Sequence, residues 1–108
     1  MSDIIVTTGN EVPNKKIIKV LGLVRGNTVR ARNIGRDIGA LLKNMVGGEV
    51  KIYTEMTKSS RDEAYNRMVN EAITLEADAV IGFRFASSTV MSGASEMMAY
   101  GTAVKISD

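Results

Sequence analysis

The side chains that could do chemistry in this chain are few and stand apart. Cysteine and histidine are both absent from its 108 residues. No disulfide, thiolate metal site, cysteine nucleophile, Ser-His-Asp triad or imidazole base can therefore be assembled within it. A soft metal ion would find only thioethers, of which Met91, Met97 and Met98 lie close in sequence. Consecutive strand residues point to opposite faces, so Met97 and Met98 of one chain cannot both reach one ion. Packing in a core or at a subunit contact is the plainer use of these methionines. Glu55, Asp62 and Glu63 could offer oxygens to a hard cation such as Mg²⁺ or Ca²⁺, but their spacing matches no cation-binding loop.

Acid–base work is available in principle from Glu55, Asp62, Asp37, Tyr53 and Arg36, and nothing in their spacing pairs them. Gly22, Gly26, Gly47 and Gly48 fit turns and helix caps rather than a phosphate-binding loop. The chain is accordingly read as not an enzyme, with no catalytic residue assigned and with cofactor and metal ligands unknown. An enzyme of unknown reaction is the last alternative.

Nucleic acid is another. Residues 1–58 hold ten Lys/Arg against five Asp/Glu, whereas residues 59–108 hold four against seven, so the N-terminal half is basic. Arg25, Arg30, Arg32 and Arg36 could contact phosphates, particularly if an oligomer multiplies them. Aromatic stacking partners are not near them in sequence, which disfavours single-strand binding. A solvated basic face accounts for the same charges.

The elements that must position these groups centre on Ser60 to Phe85. Ala64, Tyr65, Met68, Val69, Ala72 and Ile73 form one apolar stripe at helical spacing, opposite Arg61, Asp62, Asn66, Arg67, Asn70 and Glu71. Ser60 and Glu63 have the form of a capping box, but Tyr53 and Met56 extend the stripe backward. A start near Thr54, with Ser60 inside the helix, is the expectation. After Ala77-Asp78 the period changes, and Ala79, Ile81, Phe83 and Phe85 alternate with Val80, Gly82 and Arg84 as in a strand.

Upstream, Ile4–Thr8 and Lys16–Val24 read as strands separated by a turn at Pro13-Asn14, and Gly26-Asn27 supplies a further turn before a short extended stretch, Thr28–Ala31. Asn33 caps a second stripe, Ile34, Ile38, Leu41, Leu42, Met45 and Val46, closed by Gly47-Gly48. Downstream, Ser87-Ser88 and Ser92-Gly93 mark a loop tip or distorted edge. Glu96–Ile106 is a long strand with Tyr100, Thr102, Val104 and Ile106 on one face and Met97, Ala99, Gly101 and Ala103 on the other. The order ββααββ predicts an α+β domain, a mainly antiparallel sheet with two helices on one face. One domain accounts for residues 1–108. The start lacks the basic and apolar regions of a signal peptide, and no apolar run approaches the ~18 residues that span a bilayer, so a cytoplasmic location is expected.

Taken together these segments resemble the YbjQ family. The residues that carry the likeness are Ile5-Val6-Thr7-Thr8, Leu21-Gly22-Leu23-Val24, Asn33-Ile34 with Arg36-Asp37, Gly47-Gly48, Tyr53-Thr54-Glu55, Arg67-Met68-Val69-Asn70-Glu71-Ala72, Ala77-Asp78-Ala79-Val80-Ile81-Gly82 and Gly101-Thr102-Ala103-Val104-Lys105. The likeness implies an α+β subunit that assembles into a ring-like homo-oligomer, a pentamer. It also implies heavy-metal or small-molecule binding, a label with no agreed ligand residues to carry over. A ring could bring symmetry-related methionines or carboxylates together. Glu76 departs from the pattern, since the family usually has glycine at that helix end, and a different helix-to-strand turn is conceivable there.

Overall fold

The structure, a computed structural model, describes residues 4–30, 51–91 and 94–107, and only the backbone of Arg30, residues 51–57, Val90 and Met91. Five elements follow in order: β1 (Ile5–Val6), β2 (Ile17–Arg30), α1 (Lys51–Thr74), β3 (Ala79–Met91) and β4 (Ala94–Ile106). The four strands form one sheet in the order β1-β3-β4-β2. β3 and β4 are an antiparallel hairpin, β2 runs antiparallel to the far side of β4, and the short β1 lies parallel to β3. The architecture is α+β, as the periodicities predict. The expected helix with the Ile34-to-Val46 stripe and its Gly47-Gly48 cap lies outside the described residues.

α1 forms because its apolar stripe has a sheet to cover. Ala64, Met68 and Ala72 are fully buried and meet Val24, Val80, Ala99 and Ala103, with Tyr65, Val69, Leu21, Phe83 and Met97 packed around them. The helix is one continuous element from Lys51, so Ser60 is internal and buried. There its carbonyl accepts the Thr28 hydroxyl at 3.3 Å, which satisfies a buried polar group at the helix–strand contact. On the opposite face of the sheet, Val12 folds over Ala79 and Val104, with Ile81 and Ile106 alongside. Val12 gets there through the turn predicted at Pro13-Asn14. The Lys15 N–H donates to the Val12 carbonyl at 3.1 Å and Asn14 has φ 65, the form of a type II turn.

Three expectations are corrected. Gly26-Asn27 is not a turn, because β2 runs through it unbroken to Arg30. An added Cβ at Gly26 would collide with the Ala64 carbonyl oxygen and the Met68 backbone nitrogen and come within 2.6 Å of the Arg67 Cβ, so the glycine marks where α1 crosses the strand. Ser87-Ser88 is likewise no loop tip, for β3 continues to Met91 paired with β4; the alternative expectation, a distorted edge, fits the register shift between Thr89 and Met91, and Ser92-Gly93 lies outside the described residues. Polar residues tolerate a strand wherever cross-strand pairing satisfies their backbone.

The third concerns β3, whose alternation is not continuous. A register shift between Ile81 and Arg84, with Gly82 at φ 63, leaves Ala79 and Ile81 on the Val12 side but turns Phe83 into the helix-side cluster. There Phe83 meets Tyr65 edge-on at 5.5 Å and Phe85 at 4.9 Å. The faces predicted for β4 hold: Ala99 and Ala103 are buried under α1, while Val104 and Ile106 belong to the opposite cluster.

Candidate functional site

Above the Val12 plug, no element among the described residues covers the sheet face turned away from α1. Its residues follow from the register: Leu23, Thr102 and Ile81 lie in one row, Arg25, Tyr100 and Arg84 in the next, and Asn27, Met98 and Ala86 beyond them. Tyr100 therefore sits between two arginines on flanking strands, a juxtaposition that sequence proximity does not reveal. Arg84 is anchored, since its Nη1 donates to the Thr8 carbonyl at 2.9 Å and the Phe83 carbonyl at 2.8 Å. These carbonyls hold the guanidinium toward the β1 side without neutralising its charge. The nearest carboxylate on this face in the register, Glu96, accepts the Asn27 side-chain amide at 2.9 Å.

The outer edge of β2 is closed by α1. Glu71 Oε1 accepts the Arg25 backbone N–H at 3.2 Å, and Arg67 Nη1 donates to the Asn27 carbonyl at 2.6 Å. Arg67 also pairs with Glu63 at 3.1 Å through its other terminal nitrogen. Glu63, Arg67 and Glu71 follow one another at four-residue spacing, which stacks them on one helix flank. That spacing was visible in the sequence, but the strand it serves was not. Charged groups on an exposed edge are a standard protection against unwanted strand pairing.

The metal candidates do not converge. Met97 packs against the helix-side core and stands opposite Thr28 and Ser87, whereas Met98 stands on the uncovered face opposite Asn27 and Ala86. The Met91 and Glu55 side chains lie outside the described residues. Asp62 is exposed on α1, and Glu63 is engaged by Arg67. Among the described residues no three Asp or Glu side chains gather into a metal-holding group. Of the acid–base candidates, the Tyr53 side chain, Arg36 and Asp37 lie outside the described residues, as do the Arg30 side chain and Arg32 of the basic series. Arg25 alone of that series is placed, exposed on the uncovered face.

A model of the YbjQ family, described as "Putative heavy-metal-binding", matches residues 4–107. The chain belongs to the YbjQ family. Relatives called UPF0145 proteins support the same assignment. One from Archaeoglobus fulgidus is 54% identical over 96% of each chain. One from Methanoculleus marisnigri is 58% identical over 94% of this chain and 95% of its own. A third, from Thermotoga maritima, is 54% identical over 94% and 96%. A crystal structure of a protein of unknown function from the DUF74 family of Pediococcus pentosaceus superposes with a TM-score of 0.65, covering 96% of this chain and 98% of that one at 18% identity. At that identity the likeness is one of fold. Among the described residues of this YbjQ-family chain, no helix is long and apolar enough to cross a membrane.

Proposed function

We propose that this YbjQ-family protein is a cytoplasmic homo-oligomer, a ring of five chains, that binds a metal ion or small molecule and does not catalyse a reaction. One observation carries the assembly. Ile18, Val20, Leu23 and Val29 on β2 are each more than half exposed, an apolar surface that a neighbour would cover.

Ligand binding rests on the family description. Because Met97 and Met98 face opposite ways within one chain, a soft ion would be held by the same methionine from several chains around the ring. Polyanion binding is the second reading, favoured by the placement of Tyr100 between Arg25 and Arg84. It is the weaker one, because a single aromatic residue on that face stacks a single base, and strand binders use several.

Native mass spectrometry on protein purified without chelators tests the main reading. A mass of five chains carrying a stoichiometric ion or small molecule is the expected result. An empty ring would remove the ligand and direct the search to macromolecular partners, and a monomer would overturn the assembly. Nucleic-acid binding unchanged between low and high salt would exclude phosphate recognition.

A further inference from the structure

Three strands bring Arg25, Tyr100 and Arg84 into one cross-strand row. Val24 and Gly26, on either side of Arg25, are buried under α1, so alternation sends Arg25 to the opposite face of the sheet. Phe83 belongs to the helix-side cluster, which turns Arg84 to that same opposite face. Neighbouring strands lie about 4.8 Å apart, so the row spans about 10 Å from β2 to β3.

Each member of the row keeps binding capacity in hand. The carbonyls of Thr8 and Phe83 take the N–H groups of Arg84 Nη1 and leave its Nε–Nη2 edge, the fork that meets a phosphate with two parallel bonds. Arg25 is tied through its backbone N–H to Glu71, and among the described residues its guanidinium has no hydrogen-bond or ion-pair partner. Tyr100 is half-buried and takes no part in the aromatic cluster of Tyr65, Phe83 and Phe85.

Nothing nearby in the register answers the two positive charges. The rows on either side, Leu23-Thr102-Ile81 and Asn27-Met98-Ala86, hold no carboxylate. Glu96 stands about 13 Å further along β4 and accepts the Asn27 amide. Leu23 and Val29 flank Arg25 on β2 as exposed apolar side chains. A neighbour seated on them would have to leave Arg25 in water or meet it with an anion, because a buried charge without a partner is costly.

We infer that Arg25, Tyr100 and Arg84 form a binding site for a single mononucleotide, a planar heteroaromatic ring carrying a phosphate. The inference rests on the small-molecule part of the reading above and names the class of that molecule. The ring stacks on Tyr100, the phosphate takes the Nε–Nη2 edge of Arg84, and Arg25 supplies the second positive charge from the β2 end of the row. Phosphate alone would leave Tyr100 without a role. A nucleic-acid strand would need further rings, and among the described residues this face has only Tyr100.

Calorimetric titration of the intact full-length protein with adenosine monophosphate, adenosine and inorganic phosphate tests this site. The monophosphate is expected to bind at least about tenfold more tightly than either fragment, since only it engages ring and arginines together. Arg25→Gln and Arg84→Lys are each expected to weaken it about tenfold, the lysine because it keeps a donor for the carbonyls but not the fork. Tyr100→Leu is expected to weaken the monophosphate while leaving phosphate unchanged. If a variant misfolds, NMR of the wild type decides: the Tyr100 ring and the Arg25 and Arg84 Nε–H signals are expected to shift on titration. Phosphate binding as tightly as the monophosphate would overturn the ring contact, and affinity climbing with the length of an oligonucleotide would overturn the single-ligand site. No binding of the monophosphate, in protein that retains another small molecule or an ion in native mass spectrometry, would overturn this inference and leave the broader reading standing. Protein that binds none of them would overturn both.

Discussion

Arg67 on α1 donates through Nη1 to the backbone carbonyl of Asn27 on β2 at 2.6 Å. A helix side chain thus does for the strand edge what a neighbouring strand would otherwise do. The residue is more than half exposed and its other nitrogen holds Glu63, so the bond is charge-assisted but wet. Arg67→Ala is expected to cost about 1 kcal/mol, and Arg67→Lys less, because an ammonium can still donate to the carbonyl. Urea unfolding of the two variants checks the order. Equal losses would mean that the guanidinium's simultaneous bonds to Asn27 and Glu63, and not the packed stem that lysine retains, do the stabilising.

Gly26 and Gly22 are both glycines for reasons a sequence scan cannot separate. At Gly26 the obstruction is the backbone of α1, which cannot step aside as a flexible side chain would. Gly22 has open space around it but a φ of +126 that other residues rarely adopt. Gly26→Ala is expected to cost about 3 kcal/mol or more by pushing the helix off the sheet, and Gly22→Ala about 1–3 kcal/mol through backbone strain. Chemical denaturation orders the two. A Gly26→Ala protein as stable as the parent would contradict the close crossing.

Glu76 sits in the left-handed region, φ 62, at the end of α1. The Ala77 N–H reaches the Ala72 carbonyl at 3.0 Å and the Glu76 N–H reaches Ile73 at 2.9 Å, the paired bonds of a Schellman cap. The turn is thus the one a glycine would make, held by a residue that strains to make it. Glu76→Gly is expected to stabilise the protein by about 0.5–1 kcal/mol, readable as a higher midpoint of thermal unfolding. A lower midpoint would show that the glutamate side chain contributes more than its backbone costs.

Much of the fold was legible because it depends on short-range periodicity. The stripe Ala64, Met68 and Ala72 named the buried face of α1, and the alternation in β4 named both faces of that strand correctly. Turn chemistry at Pro13-Asn14 also read true. The same local rules failed at Gly26-Asn27 and Ser87-Ser88, where residues that usually mark turns lie inside long strands. In the first case the glycine answers to a helix remote in sequence, and in the second the pairing with β4 supplies every inward hydrogen bond. The shift at Gly82-Phe83 was equally hidden, because a bulge changes which face a residue meets without changing the order of apolar and polar residues.

The sequence by itself determined the class of the protein and the chemistry it lacks: without cysteine or histidine, thiolate, imidazole and triad chemistry are out of reach of one chain. It also determined the family, because many short matches in order need no coordinates to be specific. Tertiary structure alone decided which groups share a surface. It placed Arg25 and Arg84 on either side of Tyr100, set Glu71 and Arg67 on the edge of β2, and left the upper edge of β3 without a partner among the described residues. The reason is physical. Composition and periodicity act within a few residues of the chain, whereas register and edge exposure depend on which strands pair, and those partners lie tens of residues apart.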